Sequence, residues 1–236
     1  MSSARDEILG KLRGSLAKHK PFADVDARLL RHPELVEGSK DASLQPVTHI
    51  ADDEDLRARF ITEVERVKGV VHAAESEDDA RHILRELLTS HNVVRATMWD
   101  ERYMPLPNVE ATLSELNIAR VQGDNESVAT AEAGITGADW AIAATGTLVL
   151  SSGAGRSRMA SLLPPMHIAV VTTDQLVPRL EDYIAAQRAD RVEIFRTSSN
   201  VTLITGCSRT SDIEMQPVFG VHGPLELHII LIDASR

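Results

Sequence analysis

Apolar residues recur at helical spacing at the start of the chain. Ile8, Leu12 and Leu16 stand four residues apart in an otherwise polar segment, which predicts an amphipathic helix. The segment that follows is irregular and contains several proline, glycine and serine residues, a composition typical of a linker. We therefore expect an N-terminal helix and irregular arm over residues 1–50, and a main domain over residues 51–236.

The main domain alternates between helical periodicity and short apolar runs. This alternation is typical of an α/β fold, in which helices cover the faces of a mostly parallel sheet. The predicted helices are 52–68, 76–90, 109–116, 126–133, 157–163 and 173–187. The predicted strands are 70–73, 93–98, 118–121, 140–143, 147–151, 167–171, 192–195, 201–205 and 227–232. The strands 140–143 and 147–151 are so close that we expect an antiparallel hairpin.

Composition narrows the classes of function. The chain has 25 Lys and Arg residues against 35 Asp and Glu, a net charge of −10 that repels nucleic acid and anionic membranes. The single cysteine, Cys207, cannot form an internal disulfide or hold an iron–sulfur cluster by itself. No apolar run has the length of a membrane span. We expect a cytoplasmic protein that neither binds nucleic acid nor inserts into a membrane.

Two small-residue turns flank the first predicted hairpin strand and form the first candidate site. Small residues permit close approach of a ligand to the backbone, and threonine hydroxyls can bond an anion or a hydroxyl group. Simple hairpin turns would have the same composition. The candidate anion-binding residues are Thr136, Gly137, Thr145, Gly146 and Thr147, and the candidate catalytic carboxylate is Asp139.

A glycine turn before the helix 157–163 forms the second candidate site. It carries Arg156 and Arg158, and arginines at such a turn can hold a phosphate or a carboxylate. Arg158 stands where a dinucleotide-binding loop has its third glycine, so that no nucleotide fingerprint is complete. A solvated surface turn is an equally good interpretation, and Arg158 is kept as an anion-binding candidate.

The third candidate site follows the strand 201–205. Its polar residues can grip an anion, and its acids and histidine can move protons. Glu214 also has capping-box spacing from Ser211, which is a purely structural alternative. His228 lies in an apolar strand, where a histidine is usually a core residue, and no metal site is predicted. The anion-binding candidates are Ser208, Arg209 and Thr210, and the catalytic candidates are Asp212, Glu214 and His222.

Four ordered motifs closely resemble the LUD domain family, and within it the lactate-utilisation proteins. They are the segments 137–148, 162–168, 206–214 and 220–228, and the resemblance extends from residue 52 to the C-terminus. It implies a fold like that of the glucosamine-6-phosphate isomerase, ribose-5-phosphate isomerase and CoA-transferase superfamily. It also implies a role in oxidising L-lactate to pyruvate beside two iron–sulfur subunits. Cys207 departs from the family, which usually has proline at that position.

Three functions follow from these observations. The preferred one is a subunit of an iron–sulfur-dependent lactate-oxidising complex, which binds a small organic anion while its partner subunits carry the clusters and this chain carries no cofactor. The second is an independent isomerase or transferase for a phosphorylated sugar acid or CoA ester, with Asp139, Asp212 or Glu214 as base or nucleophile. The third is a non-catalytic anion-binding module. For any of them, we expect the turns 136–139 and 145–147 to face the loop 208–214 across one cleft.

Overall fold

The computed structural model describes residues 50–51, 54–190, 193–211, 217–219 and 222–234. Its helices are α1 (Leu56–Arg66), α2 (Glu77–Ser90), α3 (Val109–Glu115), α4 (Asn125–Val128), α5 (Met159–Leu162), α6 (Leu180–Ala189) and α7 (Glu193–Thr197). Its strands are β1 (Val70–Ala74), β2 (Arg95–Met98), β3 (Ala119–Arg120), β4 (Ala133–Thr136), β5 (Trp140–Ile142), β6 (Thr147–Ser152), β7 (Met166–Thr172), β8 (Leu176–Val177), β9 (Asn200–Ile204), β10 (Arg209–Ser211), β11 (Pro217–Phe219) and β12 (Glu226–Ile232).

A six-stranded sheet in the order β1-β12-β7-β4-β2-β3 is the centre of the fold, and every neighbouring pair in it is parallel. Its middle strands β7 and β12 are apolar along nearly their whole length because both faces of the sheet are covered. Ile168 and Ile229 are among the residues with no exposed surface. The predicted α/β class with a mostly parallel sheet is confirmed.

A second sheet, in the order β8-β5-β6-β9, contains the predicted hairpin. Strands β5 and β6 pair antiparallel, with Ala141 opposite Leu148. Strand β9 adds to β6 in antiparallel fashion and brings Ile204 opposite Leu148. The chain leaves this sheet at the end of β9 and continues into the loop that holds the third candidate site.

Local sequence signals explain where the helices begin. The Asp55 side chain accepts a hydrogen bond from the backbone N–H of Arg57 at 2.9 Å and caps α1. Ser76 caps α2 as the sequence predicts, accepting from the N–H of Asp79 at 3.2 Å. Three acids occupy the first turn of α2, where the helix dipole favours negative charge.

Two predicted elements are wrong in type or position. The predicted strand 192–195 coincides with α7, where the Thr197 hydroxyl donates to the Glu193 carbonyl at 2.9 Å, a helical contact. A short apolar run is ambiguous between strand and helix, and Phe195 remains 50% exposed rather than packed in a sheet. The helix predicted from residue 173 begins only at Leu180, because Leu176 pairs with β5 and Pro178 precedes the helix.

Strand β4 is missing from the sequence prediction, which runs a helix to residue 133. Gly134 lowers the strand propensity of this segment, but it also admits the α5 backbone, since a Cβ there would lie 1.7 Å from the Ala160 carbonyl oxygen. The predicted N-terminal arm, Asp212 and Glu214 lie outside the described residues, and the domain boundary at residue 50 stays a prediction. None of the described helices is both long and apolar enough to cross a membrane.

Candidate functional site

One cavity lies beyond the carboxyl ends of β2, β4 and β7, and we call it the carboxyl-edge cavity. Its volume is about 760 Å³, and its lining includes Tyr103, Asp139, Arg156, Thr172 and Gln187. The carboxyl ends of parallel strands are the usual ligand-binding edge of an α/β sheet. Position alone therefore makes this cavity a candidate.

Asp139 is already fully engaged at the carboxyl-edge cavity. One carboxylate oxygen accepts from the Ser151 hydroxyl at 3.0 Å and from Arg156 at 3.1 Å. The other accepts from the Ser151 backbone N–H. The Arg156 guanidinium also lies 4.7 Å from the centre of the Tyr103 ring, a cation–π distance. This network ties the first hairpin to the loop after β2, as a structural ion pair does.

The charge of the carboxyl-edge cavity is unfavourable for an anion. Its described lining residues include two arginines and four acids, among them Asp174, Asp190 and Glu193. Among the described residues, the buried Gln187 side-chain oxygen has no hydrogen-bond partner, and neither has the buried Nε of Arg156. An amide oxygen accepts hydrogen bonds, so it favours a ligand that brings donors such as hydroxyl groups.

The second cavity lies at the opposite edge of the sheet, and we call it the amino-edge cavity. Its volume is about 280 Å³, and it is lined by the start of β7 and β12, by α5, by residues 202–209 and by residues 222–224. Strand β7 connects the two cavities, with His167 lining one and Thr172 the other. Five residues of strand separate them by about 16 Å.

His167 is the most informative residue of the amino-edge cavity. It is 1% exposed, and its Nε2 lies 2.8 Å from the Thr136 hydroxyl oxygen. Within the described part of the chain, its Nδ1 is buried and has no hydrogen-bond partner. Burial lowers the pKa of His167 to about 4, so the ring is neutral at pH 7. Buried polar atoms are nearly always paired, and an unpaired one beside a cavity suggests a ligand contact.

Two loops close the amino-edge cavity and bring the third candidate site into it. The Ser208 backbone N–H donates to the Pro224 carbonyl at 2.9 Å and joins the loop after β9 to residues 222–224. Arg209 donates to the Val67 carbonyl, and the Cys207 thiol donates to the Lys68 carbonyl at 3.1 Å. These two hydrogen bonds hold the loop after β9 against the segment that follows α1.

The charge of the amino-edge cavity is the reverse of that of the larger one. Its described lining residues include Arg209 and no carboxylate. Ser208, His222 and Cys207 add polar groups, and His222 is exposed at the surface. A small cavity with one permanent positive charge and an unpaired imidazole nitrogen suits a small carboxylic acid.

A chain of threonine hydroxyls reaches the amino-edge cavity from the hairpin. The Thr145 and Thr147 hydroxyl oxygens are 2.7 Å apart, and that of Thr147 lies 2.7 Å from the Thr205 hydroxyl. Only Thr205 of the three lines the cavity among the described residues. Thr147 is therefore a positioning group for Thr205, and the predicted direct binding by Thr145 and Thr147 remains a prediction.

The two candidate glycines of the hairpin region serve packing. Gly146 has a φ of 60°, and a Cβ there would lie 2.5 Å from the Val64 backbone nitrogen. A Cβ on Gly137 would lie 2.5 Å from the Tyr103 carbonyl oxygen. Close backbone approach explains both glycines without a ligand.

The expectation of a single cleft is wrong for Asp139, because the described lining residues divide between two edges of the sheet. The turn 145–147, in contrast, contacts the amino-edge cavity through the Thr147 and Thr205 hydroxyl groups. Asp139 lies at the carboxyl edge, whereas Ser208, Arg209 and His222 lie at the amino edge.

Four candidates lie elsewhere or are not described. Arg158 is exposed and, among the described lining residues, belongs to neither cavity, whereas Arg156 lines the larger one. Thr210 pairs through its backbone with Val218 in the β10–β11 hairpin. Asp212 and Glu214 fall outside the described residues, so their predicted catalytic roles remain predictions.

Sequence reasoning misses His167 and Thr205 as members of the site. His167 stands in an apolar strand, where its pattern is that of a core residue. The one available signal is its position directly after the Leu-Pro-Pro-Met motif at the amino end of β7. Thr205 follows β9 and is predicted only as the last residue of a strand.

The chain is similar in sequence to a known domain family and to several bacterial proteins. The sequence matches the LUD domain over residues 57–232. It is similar to the lactate utilization protein C of Exiguobacterium sp., with 29% identity over 232 residues that cover 93% of this chain and 97% of the relative. The lactate utilization protein C of Halalkalibacterium halodurans is 39% identical over 108 residues, 46% of this chain. That match spans about half of the relative, 47% of its length.

A solved structure shares the fold. The crystal structure of a DUF162 family protein from Deinococcus radiodurans, at 1.70 Å resolution, covers 75% of this chain and 96% of its own with a TM-score of 0.56. Its sequence identity of 22% supports the fold alone. The family match, in contrast, extends over most of the chain and includes both cavities, and this chain therefore belongs to the LUD domain family.

Proposed function

We propose that this chain is a component of a lactate-utilisation system and binds a small 2-hydroxy or 2-oxo carboxylate in the amino-edge cavity. The names of its relatives support the lactate-utilisation role. The observation that carries the choice of cavity is the buried Nδ1 of His167, which has no hydrogen-bond partner among the described residues. With Arg209, His167 lines a space of about 280 Å³. A three-carbon acid fits such a volume.

The chemistry of Arg209 and His167 decides which group of the acid each of them contacts. Arg209 supplies the positive charge that attracts the carboxylate, since a guanidinium can bond both carboxylate oxygens. His167 faces the oxygen on the second carbon. Because the ring is neutral and the Thr136 hydroxyl can donate or accept, Nδ1 can accept from the hydroxyl of lactate or donate to the keto oxygen of pyruvate. One site thereby holds both members of the redox pair.

The electrons of lactate oxidation must leave through another protein. Oxidation of lactate to pyruvate removes two electrons and two protons, which amino-acid side chains alone do not accept. The one cysteine of the chain, Cys207, does not fit the set of thiolates that an iron–sulfur cluster requires. We assign the clusters to partner subunits. The residues of this chain bind and orient the acid and exchange a proton with its second-carbon oxygen.

Titration calorimetry of the full chain with L-lactate and with pyruvate tests the binding site. Arg209→Ala should weaken binding by about 10- to 150-fold, the equivalent of one hydrogen bond to a charged group. Arg102→Ala is the matched control, because Arg102 is an arginine of the carboxyl-edge cavity. Its affinity should equal that of the unmodified chain. Equal affinity in Arg209→Ala, or loss only in Arg102→Ala, would contradict the choice of cavity.

A separate assay tests the assignment of the redox step. The purified chain, given L-lactate and an artificial electron acceptor, should reduce none of it. Addition of the iron–sulfur subunits from the same organism should produce acceptor reduction, and Arg209→Ala should then lower it. Reduction by the chain alone, free of iron and flavin, would overturn the assignment. Binding without any partner-dependent reduction would instead favour the anion-binding module.

A further inference from the structure

A cluster of three histidines and one glutamate lies at the amino end of β12. Glu226 and His228 alternate with Leu227 along the strand, so they stand on the opposite face of the sheet from Leu227, which lines the amino-edge cavity. His72 comes from the adjacent strand β1, and His91 ends α2. The cluster is therefore separated from the carboxyl-edge and amino-edge cavities and does not rest on the proposed function. Its His72 lines a third cavity, beside α2.

Three side chains of the cluster converge on one point. The Nε2 atom of His91 lies 3.1 Å from a carboxylate oxygen of Glu226. The Nε2 atom of His228 lies 3.3 Å from the same oxygen. The ligand atoms of these three residues all lie within 4.8 Å of one another.

The Nδ1 atoms of His91 and His228 each lie near a hydrogen-bond acceptor. His91 Nδ1 lies 2.8 Å from the Leu87 carbonyl oxygen, which can only accept, so this nitrogen carries the proton. His228 Nδ1 lies 3.1 Å from Nε2 of His72, which accepts a hydrogen bond when the proton of His228 is on Nδ1. In these tautomers both Nε2 lone pairs point towards the carboxylate. A histidine that ligates a metal commonly donates its other N–H in this way.

Bare lone pairs and a carboxylate repel one another, whereas a cation between them would bind all three. Zn²⁺ bonds imidazole nitrogen and carboxylate oxygen at about 2.0–2.2 Å, so the edges of a tetrahedral site measure about 3.3 Å. The observed separations of 3.1 and 3.3 Å match such edges. Imidazole with carboxylate is also a donor set that suits zinc and its first-row neighbours.

We propose that His91, Glu226 and His228 bind one divalent transition-metal ion, with Zn²⁺ the best fit, and that His72 positions His228 for it. Glu226 and His91 are exposed and give the ion a path from solvent. Three protein ligands leave a fourth position to water or to an external ligand, as in open zinc sites.

Calorimetric titration of the full, untagged chain with Zn²⁺ tests the site, and one ion per chain should bind. His91→Gln and Glu226→Gln should each lower the affinity at least 10-fold, and both residues are exposed enough for the variants to fold. His72→Asn, which leaves all three ligands in place, should lower it about 10-fold through the orientation of His228. His82→Gln is the control, since His82 is an exposed histidine of α2 outside the cluster.

Thermal unfolding adds a second readout. Zn²⁺ should raise the melting temperature of the unmodified chain and of His82→Gln, because a ligand that binds only the folded state stabilises it. It should not raise that of His91→Gln. Absence of binding at one ion per chain, or full affinity in both His91→Gln and Glu226→Gln, would overturn the proposal.

Discussion

The carboxyl-edge and amino-edge cavities differ in the charge of their described lining residues. Four acids and two arginines line the first, whereas Arg209 and no carboxylate line the second. At the carboxyl edge, the Asp139 carboxylate accepts three hydrogen bonds and neutralises Arg156. At the amino edge, a fully buried imidazole nitrogen of His167 has no partner among the described residues. The first cavity is larger and stands where α/β folds usually bind ligands, but its charged groups stabilise one another.

Charge, rather than the edge of the sheet, therefore decides which cavity we propose as the anion-binding site. A buried group without a partner costs free energy unless a ligand supplies one. The larger cavity has such groups too, in Gln187 and Arg156, but its surplus of acids favours a ligand rich in hydroxyl groups over an anion. The difference is testable one cavity at a time.

The largest expected effect comes from breaking the ion pair at the carboxyl edge. Asp139→Ala should lower the free energy of unfolding by about 3–5 kcal/mol, because it leaves the largely buried Arg156 without its counter-charge. The side chains of this pair are 20% and 18% exposed. Urea unfolding measures the change. The affinity for pyruvate should stay the same, because the pair lies outside the amino-edge cavity.

Asp174→Ala is the control for this variant, since Asp174 is an exposed acid that lines the same cavity. Its free energy of unfolding should change by no more than about 0.5 kcal/mol. Normal stability of Asp139→Ala together with lost anion affinity would reverse the comparison and place the anion at the carboxyl edge.

The pH dependence of stability should reveal His167. Its pKa is about 4 in the folded chain and 6.5 in the unfolded one, so between these values only the unfolded state binds the proton. The free energy of unfolding should therefore fall as pH decreases from 6.5 towards 4, by roughly 3 kcal/mol from this group.

Urea unfolding of His167→Gln across the same pH range isolates this contribution. Burial also lowers the pKa values of His72 and His228, so the variant should keep part of the slope and lose the part due to His167. An unchanged slope would mean that His167 is not buried as a neutral ring.

The smallest effect should come from the threonine chain. Thr205→Val should weaken pyruvate binding about fivefold, the value of one neutral hydrogen bond of about 1 kcal/mol, if its hydroxyl meets the ligand. Thr145→Val should leave the affinity unchanged, because Thr145 is not among the residues that line the amino-edge cavity. Calorimetry on both variants measures this. Equal losses of affinity in the two variants would show that the connected threonine hydroxyls act as a unit and not through Thr205 alone.

The sequence predicts the fold correctly where a buried segment gives a long apolar pattern. The apolar runs of β7 and β12, the hairpin of β5 and β6 and the Ser76 cap of α2 all follow from local signals. The segment of α7 does not, because a few apolar residues fit a strand and a helix equally well. Tertiary contacts decide such segments, and a single sequence does not contain them.

The sequence predicts only some residues of the candidate site. Arg209 and His222 stand out because polar residues in small-residue turns have little packing role, and both line the amino-edge cavity. His167 does not stand out, since the lack of a partner for its Nδ1 depends on residues that are distant in the sequence. The same is true of His91 and Glu226, which are far apart in sequence and meet only when α2 packs on β12.

The most direct measurement follows the imidazole nitrogen resonances of His167 by NMR while pyruvate is added to the full chain. We expect a saturable shift of the Nδ1 resonance, because that atom gains a hydrogen-bond partner, with the backbone signals of Asp139 and Arg156 unmoved. Arg209→Ala should require a higher pyruvate concentration for the same shift. A His167 resonance that stays fixed while the signals of Asp139 and Arg156 move would contradict binding in the amino-edge cavity.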